Sequence, residues 1–152
     1  MSGICGVALL DRDNRLCIVK EARSGLWGIP KGKKMNQDIS SYDCASRKVR
    51  QELLLDINDN DFNCLEIRGL HCNGITIFIA KTNKVYSKID IRPSRNIMQV
   101  HWLPFDFIMI DCAINPKRFN RSVKSLRDFY LDNKSEFIKS TFNIDNSQNI
   151  KS

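Results

Sequence analysis

The sequence predicts an α/β or α+β domain, a mixed β-sheet packed between helices. Three observations predict it. The runs GICGVALL (3–10), LCIVK (16–20) and ITIFIA (75–80) are apolar and rich in residues that favour strands. Segments 41–55 and 118–131 repeat their apolar residues at helical spacing. Strands and helices are mixed along a single chain of 152 residues, long enough for one domain with a real core.

Taken in order, residues 3–10 form an early strand, DRDNR makes a turn, and Leu16 to Lys20 return as its hairpin partner. EARSGLWGIPKGKK (21–34) is rich in Gly, Pro and Lys and reads as a loop around an anchored aromatic, Trp27. The helix over 41–55 is capped by Ser40 or Ser41. It turns Cys44, Ala45, Val49 and Leu53 to the core, with Leu54 as a further candidate. The acidic stretch DINDND (56–61) closes it. Residues 62–68 and 74–81 read as strands around a turn at Cys72 to Gly74. Residues 81–96 read as a basic, polar connection, and Gln99 to Leu103 as a short strand ending at Pro104. The second helix, Arg118 to Leu131, carries Phe119, Val123, Leu126 and Tyr130 on one side and Arg121, Lys124 and Arg127 on the other. The body is expected to span 1–135, followed by a polar, thinly apolar tail over 136–152. Ordering such a tail costs about 1–2 kcal/mol per residue, so a partner is expected to hold it.

The formal net charge is +7, and it arises from many Lys and Arg rather than from a lack of acids. That favours a polyanionic partner, RNA being the plainest, over a merely basic soluble surface. Of the six cysteines, Cys5, Cys17, Cys44, Cys64 and Cys112 lie in or beside apolar runs, and no CxxC pair occurs. No secretory leader is read at the start, so buried free thiols in a reducing compartment, the cytoplasm, are expected. The pattern offers no clustered Cys or His for structural zinc. No apolar run approaches the roughly 20 residues that cross a bilayer, so no membrane partner is expected.

Residues 26–55 resemble the signature of Nudix hydrolases, enzymes that cleave a nucleoside diphosphate linked to another moiety. WGIPKGKK (27–34), YDCASRKV (42–49) and HWLPFD (101–106) resemble most nearly the catalytic domain of the mRNA-decapping enzyme, and PKRFNRSVKSLRDFY (116–130) loosely resembles its basic RNA-binding helix. The resemblance implies a Nudix fold over most of residues 3–131. Gly32 matches the loop glycine, Arg47 the signature arginine and Glu52 the second member of a Glu-Glu pair. Lys48 and Gln51 stand where the other two helix carboxylates are implied, and Leu54 replaces a glycine. Asp38 lies six residues after Gly32, as the upstream acid should, yet counting back from Arg47 lands on Ile39. Asn96 occupies the position of a later glutamate, counted back from Trp102.

The family's helix presents carboxylates at i, i+3 and i+4 on one face, as a hard divalent cation requires. Here that trio is Lys48, Gln51 and Glu52. Lysine has no acceptor and cannot generate a metal-bound hydroxide, and with Asn96 uncharged no obvious base remains. The expectation is therefore a catalytically silent domain with no metal or cofactor. Magnesium enters only if relocated acids such as Asp38, Asp43, Glu52 or Glu66 restore a site. Glu52 is expected instead to form a salt bridge with Lys48 or Arg47.

Three basic groups carry the alternative use: Lys20, Arg23, Lys31, Lys33 and Lys34; Lys81, Lys84, Lys88, Arg92 and Arg95; and Lys117, Arg118, Arg121, Lys124 and Arg127. Tyr42, Tyr86 or Phe142 are candidates to stack on unpaired bases. The leading expectation is a non-catalytic binder of ribosomal RNA and ribosomal proteins that occupies, and so silences, a functional ribosomal site. The decapping enzyme's N-terminal regulatory domain is not read in the chain. An active hydrolase of capped RNA or a nucleoside diphosphate derivative, and a protein-interaction scaffold, are the competing classes.

Overall fold

The computed structural model describes residues 3–58, 62–64, 70–72, 74–86 and 96–134. Glu66, Lys88, Arg92, Arg95, Phe142 and the tail 136–152 lie outside them.

β1 (Ile4–Leu10) and β2 (Arg15–Glu21) form the expected hairpin, paired at Leu10 and Leu16. Its turn is built on Asp11, whose buried carboxylate accepts the backbone N–H groups of Asp13 and Arg15, each at 2.9 Å, and Arg15 Nε at 2.7 Å. The hairpin then splays. The segment expected to be a plain loop supplies two short strands that fill the gap: β3 (Trp27–Gly28) pairs with β2 and β4 (Lys31–Lys33) with β1. At Gly28 a Cβ would collide with the Asn120 side chain, so glycine is needed for this close approach.

β5 (Phe62–Cys64) and β6 (Leu70–Cys72) each pair antiparallel with β7 (Ile75–Thr82), giving three strands where two were expected. β7 runs parallel to β1, from Ile4 opposite Ile75 to Leu10 opposite Lys81, and β8 (Ile97–Pro104) runs antiparallel to β2. The sheet is thus mixed, as expected. Lys81 belongs to β7 rather than to an exposed basic connection: it is buried, and its ammonium donates to Asn14 Oδ1.

α1 (Ser41–Leu53) is capped by Ser40, whose hydroxyl accepts the Asp43 N–H at 3.1 Å. It ends at Leu54, which adopts φ 57°, the left-handed region, and points to solvent rather than into the core. α2 (Phe105–Ile114) was not foreseen; its residues are apolar on nearly every side, so no helical period stands out. A 3-10 turn at Pro116–Arg118 leads to α3 (Arg121–Asp132), which starts three residues later than the pattern suggests because Phe119 is extended and bridges Trp27.

Helices cover both faces of the sheet. α1 packs over Val7, Leu9, Cys17, Val19 and Trp102, while α2 and α3 pack over Ala8, Leu10, Leu16, Ile18 and Ile77. Alternate residues of β1 and β2 enter opposite cores, which is why both strands read as nearly unbroken apolar runs. Cys5, Cys17, Cys44 and Cys112 are buried free thiols. Among the described residues, no helix is long and apolar enough to cross a membrane.

Candidate functional site

One end of the sheet gathers β4, the turn after it, the outer face of α1 and the ends of β2 and β8. Arg47 reaches back from α1 to Asp38, with Nε 2.9 Å from Oδ1 and Nη2 2.8 Å from Oδ2. Asp38 also accepts the Met35 N–H at 2.7 Å, and its side chain is 4% exposed. The paired guanidinium, then the Met35 N–H, hold its carboxyl down at about 2, from an ordinary 3.8. Arg47 further donates to the Lys33 carbonyl at 3.2 Å and to Gln51 Oε1 at 3.3 Å. The residue by which the Asp38-to-Arg47 spacing is too long is taken up in the turn, where Ile39 is 90% exposed.

At the other end of the same helix face the polar groups are poorly matched. Lys48 stretches its methylenes across Gly32, filling the space that a Cβ there would need. Glu52 is half-buried, and its Oε1 is buried without a hydrogen-bond partner. Burial raises its pKa, opposed by the Lys48 charge, the Lys31 backbone N–H and the Lys31 ammonium, with Glu21 adding to the rise. The expected salt bridge of Glu52 is not made: Arg47 is committed to Asp38, and Lys48 acts on Glu52 only as a charge at a distance.

Glu21, which the sequence reading passed over, is a hub. Its carboxylate accepts Lys31 Nζ at 3.4 Å, Ser24 Oγ at 3.3 Å and Asn120 Nδ2 at 2.9 Å. Asn120 also caps α3 through the Ser122 N–H at 3.0 Å. Asn96 sits beside this hub, its carbonyl accepting the Ala22 N–H at 2.9 Å. No local pattern marks Glu21, because Lys31 and Asn120 lie ten and ninety-nine residues away.

A divalent cation does not suit this donor set. Asp38 is consumed by Arg47, and Asp43 is exposed in the first turn of α1, nine residues and so ~13 Å along the axis from Glu52. Among the described residues, no three His, Cys, Asp or Glu side chains converge as metal ligands. Lys48 and Gln51, at the remaining positions of the face, contribute an ammonium and a neutral amide.

The segments that carry the first and third basic groups pack against each other. α3 docks its first turn on the segment carrying Lys31 and Lys33, through Asn120 and through Ser122 Oγ, which accepts the Ile29 N–H at 3.1 Å. Lys33, Lys117, Arg118, Arg121 and Lys124 are exposed, and Lys31 and Lys34 are half-buried. Arg118 lies 3.7 Å from Asp111, and Arg127 donates to the Met109 carbonyl at 3.2 Å, so Arg127 serves packing as well as charge. Of the second group only Lys81 and Lys84 are described, and Lys84 is exposed.

Two proposed stacking rings are already occupied. Tyr42 packs edge-on to Phe78 at 5.4 Å, and Tyr86 lies stacked between Phe62 and Trp102 at 6.1 and 5.5 Å. Trp27 and His101 form a further ring pair, with centroids 5.3 Å apart and Lys20 Nζ 6.0 Å from the indole centroid. Cross-strand pairing of β2 with β3 and β8 creates it, and strand register is what could have revealed it.

Solved structures share this fold. An Ap4A hydrolase of C. elegans aligns with a TM-score of 0.62 at 15% identity, over 87% of this chain and 98% of that one. The Nudix hydrolase RenU of M. smegmatis aligns with a TM-score of 0.66 at 12% identity, over 88% and 86%. A Nudix hydrolase of Nitrosomonas europaea aligns with a TM-score of 0.62 at 16% identity, over 89% and 72%. No family model and no curated protein sequence matches the chain. The chain has the Nudix hydrolase fold, and at these identities the likeness speaks for the fold alone.

Proposed function

We propose that this chain is a non-catalytic, RNA-binding protein on a Nudix hydrolase scaffold, associated with ribosomal RNA and ribosomal proteins. The observation that carries the reading is Lys48, an ammonium-bearing chain laid over Gly32 on the helix face where the resemblance implies carboxylates. With Gln51 uncharged and Glu52 half-buried, that face has no set of oxygen ligands for a hard cation. Lys31 and Lys34, half-buried, and Lys33, Lys117, Arg118, Arg121 and Lys124, exposed, supply the cations for phosphate contacts, carried on segments that meet at Glu21 and Asn120. Such contacts give affinity that falls steeply with salt. Seated on a functional ribosomal site, the protein would hold the ribosome idle.

Crosslinking of the full chain to RNA in extract of its own organism tests the partner: reads concentrated in ribosomal RNA support the reading, and reads at message 5′ ends count against it. In vitro, chelation of magnesium should leave RNA affinity unchanged. Charge reversal at Arg121, Lys124 and Arg127 should reduce the log–log salt slope by roughly 0.7 per lost phosphate contact.

A second reading, a metal-dependent hydrolase of capped RNA or a nucleoside diphosphate derivative, draws on the hydrolases of the same fold and on the unpartnered oxygen of Glu52. Glu52→Gln separates the two. RNA binding persists in the variant under the first reading, and loss of a demonstrable turnover would establish the second.

A further inference from the structure

The outer face of α2 is apolar and uncovered. Phe107 is 53%, Ile110 59% and Ile114 70% exposed, and Leu131 on α3 is 50% exposed. Between the two helices runs a groove of about 650 Å³ with Met109, Ala113, Ile114 and Leu131 in its walls. A helix apolar on nearly every side is ordinarily enclosed for most of its surface, so this groove has the character of a core position lacking its last layer.

The chain itself leaves α3 at this groove, and Lys134 lines it. Eighteen residues follow, 135–152, and four of their five large apolar side chains lie in the near half: Phe137, Ile138, Phe142 and Ile144, with Ile150 apart. α2 has ten residues and is therefore ~15 Å long. Ten residues separate Lys134 from Ile144, enough to span that length whether helical, at ~1.5 Å per residue, or extended, at ~3.3 Å. The charges also match. Arg127, Lys134 and Asp106 line the groove, while Glu136 and Asp145 flank the apolar cluster, with Lys139 inside it. A tethered segment competes at a high effective concentration, which places it ahead of any free partner.

We propose that the segment 137–144 of the same chain seats its apolar residues in the α2–α3 groove and completes the core on that side. The external partner that the sequence leads one to expect for the tail is then left with the residues beyond 144.

The test uses the full chain and an apolar fluorescent dye, with hydrogen exchange over 105–114. Wild type should bind little dye. Phe137→Asp with Phe142→Asp should raise dye fluorescence several-fold and speed exchange in α2 at least tenfold. Adding Ile114→Asp, at an exposed position, should abolish the gained dye binding. A peptide of residues 135–146 should saturably reverse the effect of the tail substitutions. Strong dye binding by wild type, or no response to the tail substitutions, overturns the proposal. So does a concentration-dependent dimer that Ile114→Asp dissociates, since a second copy would then be the occupant.

Discussion

Arg47 and Glu52 stand five residues apart on the same helix, yet their surroundings could hardly differ more. Arg47 has partners for nearly all of its guanidinium: both oxygens of Asp38, the Lys33 carbonyl and Gln51. Glu52 has one buried oxygen with no partner, and a pKa that burial raises. The first end holds the turn 34–40 against α1; the second holds a half-buried carboxylate beside the Lys48 and Lys31 charges. The contrast teaches that one helix face can carry a well matched end and a poorly matched end, and that the matched end is part of the fold's stability.

The comparison breaks most visibly at Arg47. Arg47→Met keeps the packing of the methylenes but strands the nearly buried Asp38 carboxylate, and the midpoint of thermal unfolding should fall by roughly 5–10 °C. If the midpoint holds within a degree, the stability of the matched end is not carried by this pair. At the opposite end, introducing acids should add cation binding rather than remove a function. The double change Lys48→Glu with Gln51→Glu places three carboxylates at i, i+3 and i+4, and Mn2+ affinity, read by water relaxation, should rise about tenfold or more. An unchanged affinity would mean that something other than these two residues prevents cation binding.

The two acids should also respond to pH with opposite signs. Asp38 has a folded-state pKa of about 2, below its ordinary 3.8, so on acidification the unfolded chain takes up the proton first. Its stabilisation is present above pH 3.8 and is lost as the pH falls from there toward 2. Glu52 is raised above its ordinary 4.5, so its protonated form favours the fold and stability declines as pH rises above that value. Asp38→Asn should therefore flatten the acid limb of a stability–pH curve. Glu52→Gln should flatten the limb above pH 4.5 and raise the midpoint there. Denaturant midpoints across pH 2–8 for the three proteins check both signs.

Much of the matched end was legible in the sequence. Ser40, as one of two cap candidates, and the apolar stripe of Cys44, Ala45, Val49 and Leu53 could be read from spacing, because a helix and its cap are local, whereas the candidate Asp38 came from the resemblance alone. That Asp38 meets Arg47 despite the extra residue was not legible, since a turn absorbs an insertion by turning Ile39 outward, and no period records that. α2 was missed for the opposite reason: with apolar residues all round, it shows no contrast between faces. β3 and β4 owe their strand character to the splayed partners β1 and β2, so a Gly-, Pro- and Lys-rich stretch gave no sign of them. Glu21 and the Trp27–His101 pair depend on contacts far apart in sequence. The burial of Lys81 follows from the parallel register with β1, which no count along the chain supplies.

The smallest predicted effect probes how Lys48 occupies its half of the site. A Cβ on Gly32 would fall on the Lys48 side chain, its Cγ included at 2.7 Å. Gly32→Ala must therefore push a flexible chain aside, and the cost should be about 1 kcal/mol. If the Lys48 chain is what fills that space, Lys48→Ala empties it, and Gly32→Ala in that background should cost little. The difference between the two costs, a coupling of roughly 0.5–1 kcal/mol, is what urea unfolding of the four proteins would measure. Equal costs in both backgrounds would mean that the backbone itself, rather than the lysine, demands glycine. Lys48 would then be free to leave the site, and the space above Gly32 would be open to a ligand.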